Sequence, residues 1–490
     1  MQGVFRKYLN DNFGLQQAQG FVILLDVSPL KVYFIQMNNI DNNRYLSDPH
    51  SENNMSFIPN ETNPIPKCYQ VQDQTEFERE ELVEKIQADA VVIGSGVTGN
   101  SLSVHLTEAG KSVVQLEAKV PGWGGSGRAF GSVVPYHKNS EEAIIRHYGW
   151  NRGAKLIDSL SQGPALVGEL IKRHSIPNAA FDSGGWANGC HTKSFEKKMQ
   201  KRADYWQSRG HDVQYLNASE FAQLIGSEYY RAGILDKRAM SINPLAYAQG
   251  LYKTAQSLGS RQYTNSPAVN VQQQQSGSWV VTTPKGSVEC ENLYFCTNAY
   301  SKGVWPRLDK GFVPVRGWGA TTTPIAPDVL ANILPGNHFI TDTRQLWSGL
   351  RRLPSGQIHM GIGGPSMGLN GRGDIKEAQE RLLEIYPEIK SVEWSEDWSG
   401  WIAVSTDQFP RILRLADGVW AAQGYSGRGL ALGTLMGREL SMCQGDTARD
   451  DLMLPVEKIP YVPFHMFSPL GAAAVIKWYD WEDAKDLRKK

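Results

Sequence analysis

The feature that most constrains this chain is a glycine-rich turn placed between an apolar strand and a helix. Residues 88–96 read ADAVVIGSG, a buried-strand pattern that ends in glycines, and SLSVHLTEAG follows with a helical pattern and a terminal glycine. A second apolar run, SVVQLEA, comes next. Strand, glycine turn, helix and strand within about 30 residues predict one unit of a doubly wound parallel sheet.

The turn GSGVTG, residues 94–99, has the composition of a dinucleotide site. The first glycine permits the tight bend, the second lets the backbone approach a pyrophosphate, and the third allows close packing of a helix whose N-terminus offers N–H donors. Glu117 lies 18 residues after Gly99, near the spacing at which a carboxylate binds ribose hydroxyls, which favours FAD or NAD over NADP. The predicted contacts are Gly94, Ser95, Gly96, Gly99 and Glu117.

Two further glycine-rich segments follow in the chain. WGGSGRAFGSVVPYH, residues 123–137, carries a single Arg128 and can wrap a second phosphate or face a ring system. GVWAAQGYSGRGLALGTLMGREL, residues 418–440, reads as a strand, a turn and a helix, which is a second helix N-terminus at a glycine turn. Two such turns indicate either one large cofactor held at both ends or two nucleotides.

Composition excludes several classes of protein. The 490 residues carry 50 Lys+Arg and 50 Asp+Glu, so no basic surplus points to nucleic acid as a partner. The five cysteines are scattered without a CxxC pair, which argues against a zinc site or a disulfide framework and for the cytoplasm. No metal site and no transmembrane segment are predicted, because no apolar run approaches about 18 residues.

The chain begins with an Asn-rich stretch, residues 1–75, that is predicted to be a flexible extension. An alternative is a small hairpin built from GFVILLDV and KVYFIQM. EFEREELVEKIQ, residues 76–87, is predicted to form a short helix before the first strand.

A set of segments in fixed order, GSGVTG, GGSGRAFG, SINPLAYAQGL, LYFCTNAYS, GFVPVRGW, GIGG and GYSGRG, resembles the FAD-dependent oxidoreductases of the D-amino acid oxidase superfamily. The resemblance covers residues 88–438 and is greatest to the gamma-glutamylputrescine oxidase branch. It implies an α/β fold, α+β in part, with a Rossmann-type FAD-binding domain and a mostly antiparallel substrate domain. The implied FAD segments are 85–150, 235–310 and 395–450, the substrate segments are 151–234 and 311–394, and the tail 451–490 packs on the FAD domain.

The resemblance also implies the remaining cofactor contacts and a noncovalent mode of FAD binding. Sarcosine oxidases hold flavin through a cysteine, and the matching region here, DWSGWIAVSTDQFPRI, has none. The family loop commonly reads SGRNGG, whereas this chain has Ala129 and Phe130 at the positions of Asn and Gly. The implied contacts are Ser126, Gly127, Arg128, Gly131, Val269, Thr297, Gly424, Gly427, Gly429 and Leu430.

The predicted reaction is oxidation of a primary or secondary amine to an imine, which water hydrolyses to a carbonyl compound, with electrons passed to oxygen or another acceptor. The small-molecule substrate is either a polyamine derivative or an amino acid. Candidate groups are Tyr425 and His137 near the ring, Arg352 or Arg351 as a carboxylate anchor, and Trp318 with Trp347 as a cage for an alkylammonium. The alternatives are an NAD-linked dehydrogenase and a flavin-binding assembly or sensor protein without turnover.

Overall fold

The computed structural model describes residues 23–26, 31–34, 65–70, 77, 81–181, 184–303, 305–363, 375–389, 392–445, 447–448 and 451–487. The chain divides into two compact units, Met1–Met55 and Ser56–Lys490. In the first unit, strands β1 (Ile23–Asp26) and β2 (Lys31–Phe34) pair antiparallel, as the alternative of a small hairpin predicts. Most of the extension predicted at 1–75 lies outside the described residues.

The strands of the second unit are β3 (Lys85–Ile93), β4 (Val113–Leu116), β5 (Ser132–Val133), β6 (Trp186–Cys190), β7 (Val213–Asn217), β8 (Ala232–Asp236), β9 (Met240–Ser241), β10 (Arg261–Tyr263), β11 (Asn270–Gln273), β12 (Trp279–Thr282), β13 (Ser287–Phe295), β14 (Val313–Thr322), β15 (Phe339–Asp342), β16 (Ser348–Arg352), β17 (Ile358–Gly363), β18 (Trp394–Val404), β19 (Arg411–Ala416), β20 (Val419–Gln423), β21 (Cys443–Gln444), β22 (Thr447–Ala448) and β23 (Val456–Glu457). The helices are α1 (Val97–Glu108), α2 (Gly125–Arg128), α3 (Glu141–Ser161), α4 (Gly163–Arg173), α5 (Lys193–Gln207), α6 (Ala218–Ile225), α7 (Pro244–Ser257), α8 (Pro327–Leu330), α9 (Ile375–Ile385), α10 (Gly429–Ser441) and α11 (Ser468–Leu487).

The first large sheet has the order β10-β4-β3-β13-β20-β19-β23, with β11 and β12 as an antiparallel ribbon beside β13. Strands β10, β4, β3, β13 and β20 run parallel. Such strands are covered on both faces, which explains why Val91 and Val92 are successive residues and both fully buried. The predicted doubly wound, Rossmann-type sheet is confirmed.

The second large sheet has the order β18-β14-β17-β16-β15-β6-β8-β7 and is antiparallel except where β15 pairs with β6. One face packs on α6 and α9 through a core that includes Phe221, Leu350 and Leu382. The other face contributes Trp186 and Phe339 to the core that also contains residues of the first sheet. The second sheet therefore packs with this face against the part of the molecule that contains the first sheet.

Two expectations about the N-terminal part differ from the structure. Residues 81–84 are not helical and residues 85–87 begin β3, because they pair with Ser287–Glu289 at the start of β13. Residues 65–70, which the sequence places in a flexible extension, pack into the second unit with Tyr69 fully buried. Burial there depends on partners far along the chain, which local composition does not encode.

Two segment boundaries also differ from expectation. The resemblance implies that residues 395–404 lie in the FAD segment, but β18 belongs to the second sheet, where it pairs with β14 along ten residues. The tail divides: β23 joins the first sheet, whereas α11 contacts β14 of the second. The carboxylate of Asp483 in α11 accepts backbone hydrogen bonds from Gln345 and Leu346, each at 2.9 Å. None of the helices in the described ranges has the length and apolar character needed to cross a bilayer.

Candidate active site

The first glycine turn connects β3 to α1 and shows why glycine is required there. Gly94 has φ +101° and donates its N–H to the Leu116 carbonyl at 2.8 Å. A Cβ at Gly99 would lie 1.9 Å from the Gly94 carbonyl oxygen, so a side chain at this third position would push the helix off the turn. The close approach leaves the N-terminal N–H groups of α1 next to the end of β3.

A carboxylate lies at the end of the neighbouring strand. Glu117 follows β4 and accepts hydrogen bonds from the backbone N–H groups of Ser95 at 2.7 Å and Lys119 at 2.9 Å. Burial raises the pKa of Glu117, and these backbone donors oppose that rise. The carboxylate is thus fixed beside the first turn, where the sequence predicts a ribose contact.

The second glycine-rich loop lies against the N-terminus of α1. Ser126 in α2 accepts a hydrogen bond from the Val97 N–H at 3.0 Å, and a Cβ at Gly96 would lie 2.8 Å from its Oγ. Buried Arg128 donates from Nε to the Trp123 carbonyl at 2.8 Å, and its own carbonyl accepts from Trp398 Nε1 at 3.0 Å. Because Trp398 belongs to β18, this loop joins the first turn to the second sheet.

The third turn, residues 424–429, follows β20 and opens α10. Gly424 donates its N–H to Asn298 Oδ1 at 3.1 Å, and the hydroxyls of Tyr425 and Thr98 are 2.9 Å apart. Tyr425 is buried, and that burial raises its pKa. The hydroxyl of Tyr425 therefore links the third turn to the first turn of α1, while Gly427, Gly429 and Leu430 complete the turn and the start of α10.

Two other predicted contacts, Thr297 and Val269, lie in connections between strands of the first sheet. Thr297 follows β13, and its Cγ2 would be 3.4 Å from a Cβ at Gly94, which places it beside the first turn. Val269 lies between β10 and β11, with its N–H bonded to the Thr282 carbonyl and its side chain 55% exposed. The first turn, Thr297 and the third turn therefore follow the carboxyl ends of three adjacent parallel strands, β3, β13 and β20.

These residues fit one long dinucleotide. The backbone approach at the first turn is open only to glycine, two helices of 12 and 13 residues start at glycine turns, and a fixed carboxylate stands at the next strand end. Ligands of open α/β sheets bind outside the carboxyl ends of the strands. The connected turns favour a single cofactor gripped at two places over two separate nucleotides.

His137 lies at the end of the second glycine loop, and both of its ring nitrogens are hydrogen-bonded. Its Nδ1 accepts from the Asn139 N–H at 3.1 Å, so the proton is on Nε2, which donates to the Gln408 carbonyl at 2.9 Å. The ring stacks on Phe409 with centroids 5.0 Å apart. Burial lowers the pKa of His137 to about 4, so the imidazole is neutral near pH 7.

The two candidate carboxylate anchors point to opposite faces of β16. Arg351 is 1% exposed and donates from Nη1 to Ser241 Oγ at 2.8 Å and the Ile242 carbonyl at 2.7 Å, and from Nη2 to Tyr69 OH at 2.7 Å. Arg352, on the other face, reaches the Leu334 carbonyl at 3.5 Å. Both Nη1 donors of Arg351 and one Nη2 donor are therefore engaged by protein acceptors.

Tyr69 and His359 are buried and contact the candidate residue Arg351, an arrangement that sequence reasoning missed. The Tyr69 hydroxyl lies 2.9 Å from His359 Nδ1 and donates toward the Ala129 carbonyl at 3.2 Å. His359 and Arg351 pack against Phe130, the residue at which the second loop departs from the family sequence. The motif around Tyr69, KCY within an Asn-rich context, gives no local signal of this role.

Phe130, the departure from the family loop, packs on the second sheet. Its ring meets Trp347 edge-on with centroids 5.4 Å apart and lies 5.4 Å from the Arg351 guanidinium carbon. A Cβ at Gly361 would lie 2.8 Å from Phe130 and 2.7 Å from Trp347, and one at Gly349 would lie 3.1 Å and 3.0 Å from them. Glycines on β16 and β17 thus make room for both rings. Trp318, by contrast, is buried in the core on the opposite face.

The fold and these turns define a dinucleotide-binding protein whose second sheet contacts the second glycine loop. The model of the FAD dependent oxidoreductase family matches residues 89–442, and the chain belongs to this family. It is therefore an FAD-dependent oxidoreductase, and the predicted cofactor FAD is confirmed.

Known proteins of this family match over most of their length. Gamma-glutamylputrescine oxidoreductase from Escherichia coli is 28% identical over 403 residues, covering 80% of this chain and 93% of that protein. Glycine oxidase from Bacillus licheniformis is 21% identical and covers 72% and 92%. The crystal structure of glycine oxidase from Geobacillus kaustophilus matches with TM-score 0.60 at 18% identity, covering 72% of this chain and 92% of that chain, and shows the same fold.

Proposed function

We propose that this enzyme oxidises a primary or secondary amine at the carbon next to nitrogen. The observation that carries the proposal is a pair of aromatic rings: Phe130, which belongs to the second glycine loop, and Trp347, which contacts it from the second sheet side. Apolar rings bind the carbon chain of an amine, exclude water and accept an alkylammonium over their faces. The relatives named as gamma-glutamylputrescine oxidoreductase and glycine oxidase support the same class of substrate.

In the proposed reaction the amine loses two electrons and two protons to become an imine, and water then gives the carbonyl product and the released amine or ammonia. FAD, when bound, takes up the electron pair and passes it to oxygen or another acceptor. His137 does not act as the base, because its Nδ1 lone pair is engaged by Asn139 and its pKa lies near 4. In this proposal the amine reacts in its deprotonated form and the protein orients it.

Noncovalent FAD binding and a cytoplasmic location belong to the same proposal. The five cysteines are free, and Cys296, which lies at the end of β13, has its pKa raised by burial. A buried, protonated thiol is a poor nucleophile toward a flavin. Free, buried thiols also agree with a reducing compartment.

The test is anaerobic mixing of the purified holoenzyme with putrescine, gamma-glutamylputrescine, D-amino acids and N-methyl amino acids, followed by flavin absorbance. At least one amine is expected to bleach the flavin, and Trp347→Leu is expected to slow that reduction about tenfold or more through loss of ring contact. Trp481→Leu, in the half-exposed C-terminal helix, is the matched control and is expected to react like the parent protein. A yellow protein that none of these amines reduces would contradict amine oxidation and favour the flavin-binding protein without turnover.

A further inference from the structure

The turn that joins β15 to β16, residues 343–347, carries one of the two rings of the proposed amine site. Trp347 is the last residue of this turn, and its ring is half-buried against Phe130. The Trp347 carbonyl accepts a hydrogen bond at 3.0 Å from the N–H of Gly363, which ends β17. The position of the indole ring therefore depends on how the turn before it is held.

The first half of this turn is anchored by groups of the second sheet and of α9. The Thr343 N–H donates to the Gly189 carbonyl on β6 at 3.1 Å. The Arg344 N–H donates to the carboxylate of Asp342 at 3.1 Å, and the buried guanidinium of Arg344 lies 3.5 Å from the Glu384 carboxylate in α9. These contacts fix the turn as far as Arg344.

The second half of the turn is held from the C-terminal helix α11. The carboxylate of Asp483 accepts the N–H of Gln345 on Oδ1 and the N–H of Leu346 on Oδ2, each at 2.9 Å. Asp483 is 7% exposed, and a carboxylate buried to this degree is costly unless hydrogen bonds compensate it. One side chain, 137 residues beyond Leu346 in sequence, therefore supplies both bonds to this half of the turn.

The helix that carries Asp483 also contacts the second sheet away from this turn. α11 packs against β14, which is separated from β16 by β17 in the strand order. Asp483 lies near the C-terminal end of α11, and exposed Asp480 lies one helical turn earlier. The helix therefore connects β14 to the turn that carries Trp347.

We propose that Asp483 is a positioning residue for the amine site, because it holds residues 345–346 so that the Trp347 ring stays against Phe130. The proposal rests on the amine oxidation proposed above, in which these two rings receive the substrate. Hydrogen bonds from two successive N–H groups to one carboxylate are charge-assisted and fix both the distance and the direction of the backbone. A small displacement of a group that orients the substrate slows a reaction steeply. The C-terminal helix thus contributes to the substrate site through the backbone of the turn.

The first test measures the turn without any amine. Hydrogen–deuterium exchange of the holoenzyme is followed by mass spectrometry of a peptide that spans residues 343–349. In Asp483→Ala, the amides of Gln345 and Leu346 are expected to exchange about tenfold or more faster than in the parent protein. Asp480→Ala removes an exposed carboxylate of the same helix and is the matched control, with unchanged exchange. Equal exchange in Asp483→Ala and the parent protein would overturn the proposal.

The second test measures flavin reduction by an amine that reduces the parent protein. Asp483→Ala is expected to slow this reduction about fivefold or more with flavin content unchanged, since a displaced ring orients the amine less well. Asp480→Ala is expected to react like the parent protein. An unchanged rate in Asp483→Ala would contradict the positioning role. A parent flavin that no amine reduces would count against the proposed function, while the exchange measurement would still decide whether Asp483 holds the turn.

A double variant separates positioning of Trp347 from a general loss of stability. If Asp483 acts through Trp347, Asp483→Ala combined with Trp347→Leu is expected to react within about twofold of Trp347→Leu alone. Independent effects would multiply to a slowing of about fiftyfold, which would overturn the proposal. Should Asp483→Ala fail to fold or lose flavin, Asp483→Asn keeps the side-chain shape and one acceptor oxygen, and it is expected to slow flavin reduction about threefold or more. Equal exchange and an equal rate in Asp483→Asn and the parent protein would likewise overturn the proposal.

Discussion

At the scale of single residues, Gly131 shows how closely the second glycine loop packs against the second sheet. Gly131 has φ +90°, and a Cβ there would lie 2.3–2.5 Å from the Arg351 guanidinium. Gly131→Ala must therefore displace Arg351 as well as strain the backbone, and we expect it to lower the free energy of unfolding by about 3 kcal/mol or more. Gly110 has φ +78° with open space around it, so Gly110→Ala isolates the backbone strain alone. Equal losses in urea unfolding of the two variants would show that Arg351 does not hold the loop.

His137 gives a prediction about pH at the same scale. Its folded pKa, about 4, is below the value near 6.5 of the unfolded chain, so the unfolded state binds more protons and stability falls as pH decreases through 6.5. Between pH 8 and pH 5, protonation of His137 in the unfolded chain should lower the free energy of unfolding by about 2 kcal/mol. His137→Gln cannot titrate, and its unfolding free energy should lose about that much less over this range than that of the parent protein. Parallel pH profiles of the two proteins would contradict the buried, neutral imidazole.

Sequence reasoning could place residues whose geometry is local, and their cofactor contacts stay predictions, but it could not tell which face of a strand a side chain occupies. Gly94, Gly99 and Glu117 could be placed from spacing alone, because a turn and the next strand are close in the chain. Choosing between Arg351 and Arg352 requires knowing which face of β16 lies toward the second glycine loop. The sequence does not show this, because both faces of the strand are covered. The functional roles of Tyr425, His137 and Arg352 remain predictions.

At the scale of elements, the segment 65–70 acts as a strap across the loop and the second sheet. The backbone N–H groups of Lys67 and Cys68 donate to the Glu396 carboxylate at 2.8 Å and 2.7 Å, and Asn243 Nδ2 donates to the Tyr69 carbonyl at 3.0 Å. Glu396 and Asn243 lie more than 170 residues away in sequence, so the Asn-rich composition around the segment gives no sign of these contacts. The first and third glycine turns, by contrast, are determined by local sequence, and their positions between a strand and a helix are predicted correctly.

The strap predicts a sharp difference between two truncations. Removal of residues 1–54 takes away only the first unit and is expected to leave flavin content and melting temperature unchanged. Removal of residues 1–70 also deletes Tyr69, exposes Arg351 and His359, and should cost about 3 kcal/mol or more and lower flavin content. Thermal melting and the ratio of flavin to protein absorbance measure both effects. A shift of several degrees in the shorter deletion would assign the β1–β2 hairpin a structural role.

At the scale of the whole molecule, the chain passes repeatedly between the two large sheets. The first sheet takes strands from residues 85–116, 261–295 and 411–457, and the second from 186–236, 313–363 and 394–404. Sequence could give this alternation only through family resemblance, because no local pattern tells a strand which sheet to join. β18 illustrates the limit, since it directly precedes β19 in sequence yet lies in the other sheet.

This interleaving predicts that cofactor release and unfolding are one event. The chain that leaves each sheet continues into the other, and Trp398 of β18 donates a hydrogen bond to the Arg128 carbonyl in the second loop. Melting of either sheet should therefore open the turns that we propose to hold FAD. Flavin fluorescence, far-ultraviolet circular dichroism and tryptophan fluorescence should therefore change with the same midpoint. Because FAD binds the folded state, free FAD at about 100 times its Kd should stabilise that state by about 2.7 kcal/mol and raise all three midpoints together. Flavin release well below the loss of circular dichroism would show that the turns open without the sheets, and a midpoint indifferent to added FAD would point to a covalent attachment.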